Sequence, residues 1–151
     1  MKKTQRIDMV RRAVDEFERR KAEALARCEQ RVLEAESRLG ELERYRAAYV
    51  QDFNRRAQAG LDGAGVREYQ VFLGRLEEAL RHQDQIVAQA RSQRSAELES
   101  WRLAARRAAA VDTLAEHWRA EERRTEDKRE QHETDERSQQ IWSRRSQIRV
   151  T

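Results

Sequence analysis

Apolar side chains recur along most of this chain at steps of three or four residues. That spacing keeps side chains on one face of an α-helix, whereas a half-buried strand would need a period of two, which is absent. One stripe runs through residues 7–53 and a second through residues 69–118. The pattern therefore predicts two long amphipathic helices and an all-α fold. The first stripe consists of Ile7, Val10, Val14, Phe17, Leu25, Cys28, Val32, Ala35, Leu39, Leu42, Tyr49 and Phe53.

The break between the stripes coincides with a group of glycines. Gly60, Gly63 and Gly65 are three of the five glycines in the chain, and there is no proline. Because glycine adopts positive φ without a steric penalty, we expect these three residues to form a hinge loop that ends one helix and reverses the chain. Two helices with stripes of nearly equal length then fold back on each other as a long antiparallel two-helix coiled-coil hairpin.

The predicted domain organisation has two parts. Residues 1–118 form the hairpin, with helix 1 over about 4–58, a loop at 59–65 and helix 2 from residue 66. At about 1.5 Å per residue, each arm is roughly 75–80 Å long. Residues 119–151 form a charged helical extension and tail.

The extension differs from the hairpin in composition. Residues 119–140 contain 14 charged residues and no apolar residue larger than Ala120. Opposite charges lie three and four apart, which supports a solvated helix. We expect a helix that continues into water and frays towards its end, followed by a small apolar cluster of Ile141, Trp142 and Ile148 in a basic tail.

Composition narrows the class of protein. Charged residues make up 40% of the chain and aromatic residues 6%, while 38% is hydrophobic and periodic, which favours a coiled coil over disorder. The net charge of +4 is mild and both signs are interspersed, as on a solvated helix surface. The single cysteine, Cys28, excludes an intramolecular disulfide and is expected to pack in the helix contact. There is no transmembrane run and no apolar stretch after the basic start MKKTQR, so a cytoplasmic protein is expected.

No catalytic or ligand-binding motif is present. The glycines do not form a phosphate-binding loop, and His82, His117 and His132 are too far apart in sequence for a zinc site. We therefore expect a protein that is not an enzyme and binds no cofactor or metal. The basic segments MKKTQRIDMVRR and RLAARR leave nucleic-acid binding as a hypothesis, but acidic residues dilute them and no groove-reading motif accompanies them.

Apolar side chains exceed what the hairpin can bury near its loop. A two-helix contact needs about two apolar residues per heptad, and residues 39–53 and 66–80 carry more. Tyr45, Phe72 and Ala79 lie beside the predicted stripe and should be on the flank. An exposed aromatic patch indicates a protein-binding site. A locally wider helix contact, self-association, or loop residues that fold back over the patch would explain the same surplus.

These segments resemble a known family. The stretch LERYRAAYVQDF, the glycine loop, and then REYQVFLGRLEEALRHQDQIV and LESWRLAARR are similar to the FliJ family of the bacterial flagellar export apparatus. The resemblance covers roughly residues 5–120, and the corresponding protein of virulence type III secretion systems, YscO, is an alternative. It implies a two-helix coiled coil like the stalk of rotary ATPases. Such a protein binds the hexameric export ATPase (FliI) and the cytoplasmic domain of the export gate (FlhA), and escorts export chaperones.

The resemblance also implies site residues. Those for the gate are Leu42, Tyr45 and Tyr49 on helix 1 and Phe72, Leu76 and Ala79 on helix 2. Those for the ATPase ring, at the end that holds both arms' termini, are Lys2, Lys3, Arg6, Arg11, Arg12, Arg106 and Arg107, with the 119–140 extension. Arg38 and Gln83 depart from the family pattern at the rim of the gate site.

The function predicted from these observations is a non-enzymatic stalk for flagellar protein export and hence motility. The protein would couple the ATPase ring to the gate and contact the membrane only through its partners. It would bind no nucleic acid. The alternatives are a self-associating structural coiled coil and the equivalent stalk of a virulence secretion system.

Overall fold

The protein folds into two α-helices joined by a short loop. The computed structural model describes residues 2–150, in which α1 spans Lys3–Ala59 and α2 spans Gly63–Val150, and these described residues contain no strand. The two helices pack against each other, so the predicted all-α helical hairpin is confirmed. Neither helix, over the residues described, has a segment long and apolar enough to cross a membrane.

The chain divides into two compact units, and both helices contribute to each. The loop unit is Glu18–Ala104, and the terminal unit consists of Met1–Phe17 and Ala105–Thr151. Within each unit the helices are antiparallel, because cross-helix partners follow opposite orders along the chain. In the loop unit, Arg91 pairs with Glu36 at 2.9 Å and Arg46 pairs with Glu77 at 3.2 Å.

The core of the loop unit is a narrow line of mostly small side chains. Its buried apolar members are Cys28, Val32, Ala35, Leu76, Val87 and Ala104. Gln83 is also buried, and its Nε2 donates a hydrogen bond of 3.0 Å to the carbonyl oxygen of Ala35. Because this amide is satisfied across the helix contact, the polar side chain at this position of the second stripe does not leave an unpaired group there.

The terminal unit is held by a smaller apolar contact and by ion pairs. Ile7, Ala108 and Ala115 are buried, while Arg11 pairs with Asp112 at 2.6 Å and Arg119 pairs with Asp8. Val10 was expected in the stripe but is exposed. It lies about 60° round the helix from Ile7, and a contact made with alanines is too narrow to cover it.

The loop is shorter than the predicted 59–65 and consists of Gly60, Leu61 and Asp62. The prediction that all three glycines supply positive φ was wrong, because only Gly60 has it, at 102°. Gly63 and Gly65 belong to the first turn of α2. Asp62 caps that turn, since its Oδ1 accepts a hydrogen bond of 2.8 Å from the Gly65 amide.

Gly65 has a different role from Gly60. A Cβ at Gly65 would lie 2.5 Å from Leu61 Cδ2 and 3.0 Å from Asp62 Oδ1. The missing side chain therefore lets the loop fold closely over the start of α2. Gly60 allows the chain to reverse, and Gly65 allows Leu61 to pack against the start of α2. These two roles explain why the glycines lie together although the loop is only three residues long.

The C-terminal part of α2 is a solvated helix. Helix–helix pairing continues past the predicted boundary at residue 118, since Lys2 Nζ lies 4.0 Å from Glu122. Every described side chain from Arg123 to Arg149 is exposed. The expected fraying is not observed, because α2 remains helical to Val150. Pairs four residues apart, such as His132 and Glu136 at 3.3 Å, lie along this helix.

The loop geometry predicts that Gly60→Ala destabilises the protein while Gly63→Ala does not. A side chain at the positive φ of Gly60 should cost about 1–2 kcal/mol. A Cβ at Gly63 meets only the end of the Arg67 side chain at 4.0 Å, so that change should leave stability unchanged or raise it by up to about 1 kcal/mol. Urea unfolding followed by far-ultraviolet circular dichroism measures both. Equal effects of the two substitutions would show that Gly60 does not need its special backbone conformation.

Candidate docking surface

Five aromatic rings cluster next to the loop. Tyr45, Tyr49 and Phe53 follow one another at four-residue spacing on α1, so they share a face, and Tyr69 and Phe72 meet them from α2. The ring centroids of Phe53 and Tyr69 are 3.7 Å apart, and those of Tyr49 and Tyr69 are 4.9 Å apart. Both pairs are stacked. We call these five residues the ring cluster.

Exposure increases along the ring cluster away from the loop. Tyr49, Phe53 and Tyr69 are half-buried, whereas 54% of Tyr45 and 36% of Phe72 is exposed. Tyr45 meets Phe72 edge to face at 6.2 Å, and Phe72 also contacts Tyr49 at 4.6 Å. The two outer rings are therefore presented to solvent on a base of inner rings. This is the arrangement predicted for Tyr45 and Phe72 from the apolar surplus.

The other predicted gate-binding residues lie deeper. Leu42 and Ala79 are half-buried, and Leu76 is only 7% exposed. Leu76 packs in the helix contact, so it supports the surface but offers little area to a partner. Gln83 was placed at the rim by the resemblance. That placement is wrong for this chain, because Gln83 is buried and bonded to Ala35 of α1.

Two neighbouring features have positions that the sequence did not predict. Val71, which belongs to the apolar surplus, is 58% exposed but lies about 100° round α2 from Phe72. The ion pair between Arg46 and Glu77 joins the helices on the other flank of the contact, because Arg46 lies about 100° round α1 from Tyr45 and Glu77 about 140° round α2 from Phe72. In a chain with so many charges, no spacing distinguishes this pair from its neighbours. Tyr69 and Phe53 belong to the predicted stripes. Their stacking could not be predicted, because it depends on the register of the two helices, which the sequence does not give.

The basic residues predicted for the ATPase ring divide into two groups. Lys2, Lys3 and Arg11 make contacts within the terminal unit. Lys3 Nζ lies 4.1 Å from the centre of the Trp118 ring, a cation–π contact, and Lys2 and Arg11 form the ion pairs with Glu122 and Asp112. These three side chains therefore help to hold α1 against α2.

The second group consists of exposed arginines. None of its members has an ion pair among the residues that the structure describes, so their charges remain available to a partner. The members are Arg6, Arg12, Arg106 and Arg107.

The exposed rings of the loop unit and the exposed arginines of the terminal unit suit different partner surfaces. The described part of the chain has no group of His, Cys, Asp and Glu side chains that could hold a metal ion. The ring cluster offers an aromatic face, which suits an apolar partner surface. The exposed arginines offer positive charge to an acidic surface.

The chain matches a known protein family. The family model described as "Flagellar FliJ protein" matches residues 2–147. No curated protein and no solved structure matches the chain. The matched range contains the whole ring cluster and all seven predicted basic residues.

The contacts within the ring cluster predict that its inner and outer rings differ in their effect on stability. Phe53→Ala removes a half-buried ring stacked on Tyr69 and should cost about 2 kcal/mol, less than a fully buried phenylalanine would. Tyr45→Ala removes a mostly exposed ring and should cost under about 1 kcal/mol. Urea denaturation of the two variants measures the difference. A larger loss for Tyr45→Ala would mean that this ring is a structural element.

Proposed function

Because the chain belongs to the flagellar FliJ protein family, we propose that it is a non-enzymatic stalk that binds the export ATPase ring and the export gate and couples them. Membership makes it a flagellar export-associated protein of a non-enzymatic family. The particular partners, the coupling role and the cytoplasmic location are the proposed parts. The escort of export chaperones and contact with the membrane through the gate belong to the same proposal.

The exposed pair of Tyr45 and Phe72 is the observation that supports gate binding most directly. Leaving two rings exposed on a chain whose aromatic content is 6% is unfavourable unless a partner covers them. Stacked inner rings hold Phe72 in place, so little side-chain entropy is lost when a partner binds. We therefore assign Tyr45 and Phe72 as the central contacts with the cytoplasmic domain of the gate, with Tyr49, Leu42 and Ala79 beneath them.

The four exposed arginines support contact with the ATPase ring. They lie in the terminal unit, whereas the ring cluster lies in the loop unit. Unpaired positive charges raise the rate of association with an acidic surface and lower the rate of dissociation from it. We therefore assign Arg6, Arg12, Arg106 and Arg107 as ring contacts, and Lys2, Lys3 and Arg11 as residues that hold the terminal unit together.

Coupling follows from two separate binding surfaces on one pair of helices. Each unit is built from both α1 and α2, and the chain has no proline that would kink either helix. A partner held by the loop unit and a partner held by the terminal unit are thus linked through continuous hydrogen-bonded backbone. The protein performs no chemistry in this mechanism.

Gate binding predicts a specific loss of affinity when the outer rings are truncated. Tyr45→Ala and Phe72→Ala should each weaken binding to the gate's cytoplasmic domain by about tenfold or more, as for a central aromatic contact. Leu33→Ala is the matched control, because Leu33 is also largely exposed in the loop unit but lies outside the ring cluster. Isothermal titration calorimetry measures the affinities, and circular dichroism checks that helicity is retained.

The outcome also separates the proposal from self-association. Unchanged affinity in both ring variants would remove the assignment of the gate site. If sedimentation shows a stable dimer that either ring variant dissociates, the ring cluster is instead an interface between two copies of the chain.

The assignment of the ATPase contact predicts a charge-dependent interaction. Arg106→Ser combined with Arg107→Ser should reduce binding to the export ATPase hexamer severalfold and make binding less sensitive to salt. Arg27→Ser combined with Arg31→Ser removes the same charge from exposed positions of the loop unit and should have no such effect. Co-purification across a salt series measures both. Equal losses would indicate that net charge alone governs binding.

A further inference from the structure

The last described turns of α2 have a different charge pattern from the turns just before them. Residues 119–136 mix both signs, whereas residues 137–149 contain four arginines and no acidic residue. The same segment contains Ile141, Trp142 and Ile148, the apolar cluster noted in the sequence. Beyond residue 140, where the extension expected at the ATPase ring ends, these residues belong to neither proposed partner contact.

Helical geometry places the arginines and the apolar residues on one face. With 3.6 residues per turn, one line along the helix contains Arg137, Ile141, Arg144 and Ile148, and the line beside it contains Trp142, Arg145 and Arg149. A shallow depression lined by Trp142, Arg145, Ser146, Ile148 and Arg149 extends from this face to its border with the opposite side, at Ser146. The opposite side carries Gln139, Gln140, Ser143, Ser146 and Gln147.

Nothing else in the described chain covers this face. Trp142 is 74% exposed and Ile141 54% exposed, and pairing between α1 and α2 ends at about Glu122. A tryptophan exposed to this extent on a single helix is unusual, because its ring carries more apolar area than any other side chain. We call this surface the basic face: Arg137, Ile141, Trp142, Arg144, Arg145, Ile148 and Arg149.

We propose that the basic face adsorbs to the surface of an anionic lipid bilayer. Arginine guanidinium groups bind lipid phosphates, and the Trp142 ring suits the boundary between head groups and acyl chains. The helix lies parallel to the bilayer plane, because it is not apolar enough to cross. Its Ser and Gln side remains in water.

Charge complementarity favours a lipid surface over a second copy of the chain. Two copies that met through this face would bring eight arginines together without a compensating carboxylate, which is unfavourable. An anionic bilayer offers many phosphates and needs no matching groove, so a flat face with few apolar side chains is sufficient. This contact would be direct, in addition to the contact through partners that the sequence analysis expected.

Co-sedimentation of the full-length protein with vesicles tests this inference. The protein should bind vesicles of phosphatidylcholine mixed with phosphatidylglycerol, should not bind phosphatidylcholine alone, and should dissociate as salt is added. Arg144→Ser, Arg145→Ser and Arg149→Ser combined should lower the partition coefficient roughly 100-fold, since each arginine contributes about fivefold. Trp142→Ser should weaken binding while leaving the salt dependence unchanged.

A control with the same change of charge separates the basic face from net charge. Arg123→Ser, Arg124→Ser and Arg129→Ser combined remove three exposed arginines from the mixed part of the same helix and should leave vesicle binding nearly intact. The inference is overturned if the protein does not bind anionic vesicles, or if the two triple variants lose binding equally. It is also overturned if the triple variant of the basic face changes the oligomeric state in sedimentation, which would identify an interface between copies.

Discussion

Each helix of this protein has only the other helix against which to bury its apolar stripe, and that constraint determines the rest of the described structure. The buried positions are mainly alanine, cysteine and valine, so the helices approach closely and the contact is narrow. Larger apolar residues beside it are only partly covered. The exposed ring of Tyr45 is therefore a direct consequence of a two-helix contact, and the proposed gate site uses surface that this fold cannot bury.

The fold could be predicted from the sequence because two signals agreed. Period-3.6 stripes of nearly equal length specified the helices, and the glycine group between them specified the reversal. The length of the loop could not be predicted in the same way, because glycine serves two purposes there. Gly60 supplies a positive φ, whereas Gly65 is required where Leu61 packs closely. The residue type alone does not distinguish these two roles.

The candidate site could be predicted only in part, since it depends on the rotational setting of each helix. The surplus of rings correctly identified Tyr45 and Phe72 as flanking residues. Leu76 and Gln83 were assigned to the same surface by resemblance, yet both are buried, because they lie on the side of α2 that faces α1. The division of the basic residues into paired and exposed groups required the cross-helix partners Trp118 and Asp112, which local spacing does not identify.

Chemical labelling of the three tyrosines tests the central claim most directly. Nitration with tetranitromethane, mapped by mass spectrometry, should modify Tyr45 in the free protein much faster than Tyr49 or Tyr69, which are half-buried in stacked pairs. Adding the cytoplasmic domain of the export gate should protect Tyr45. Equal reactivity of the three rings would contradict the packing described here, and reactivity of Tyr45 that the gate domain leaves unchanged would contradict the docking surface.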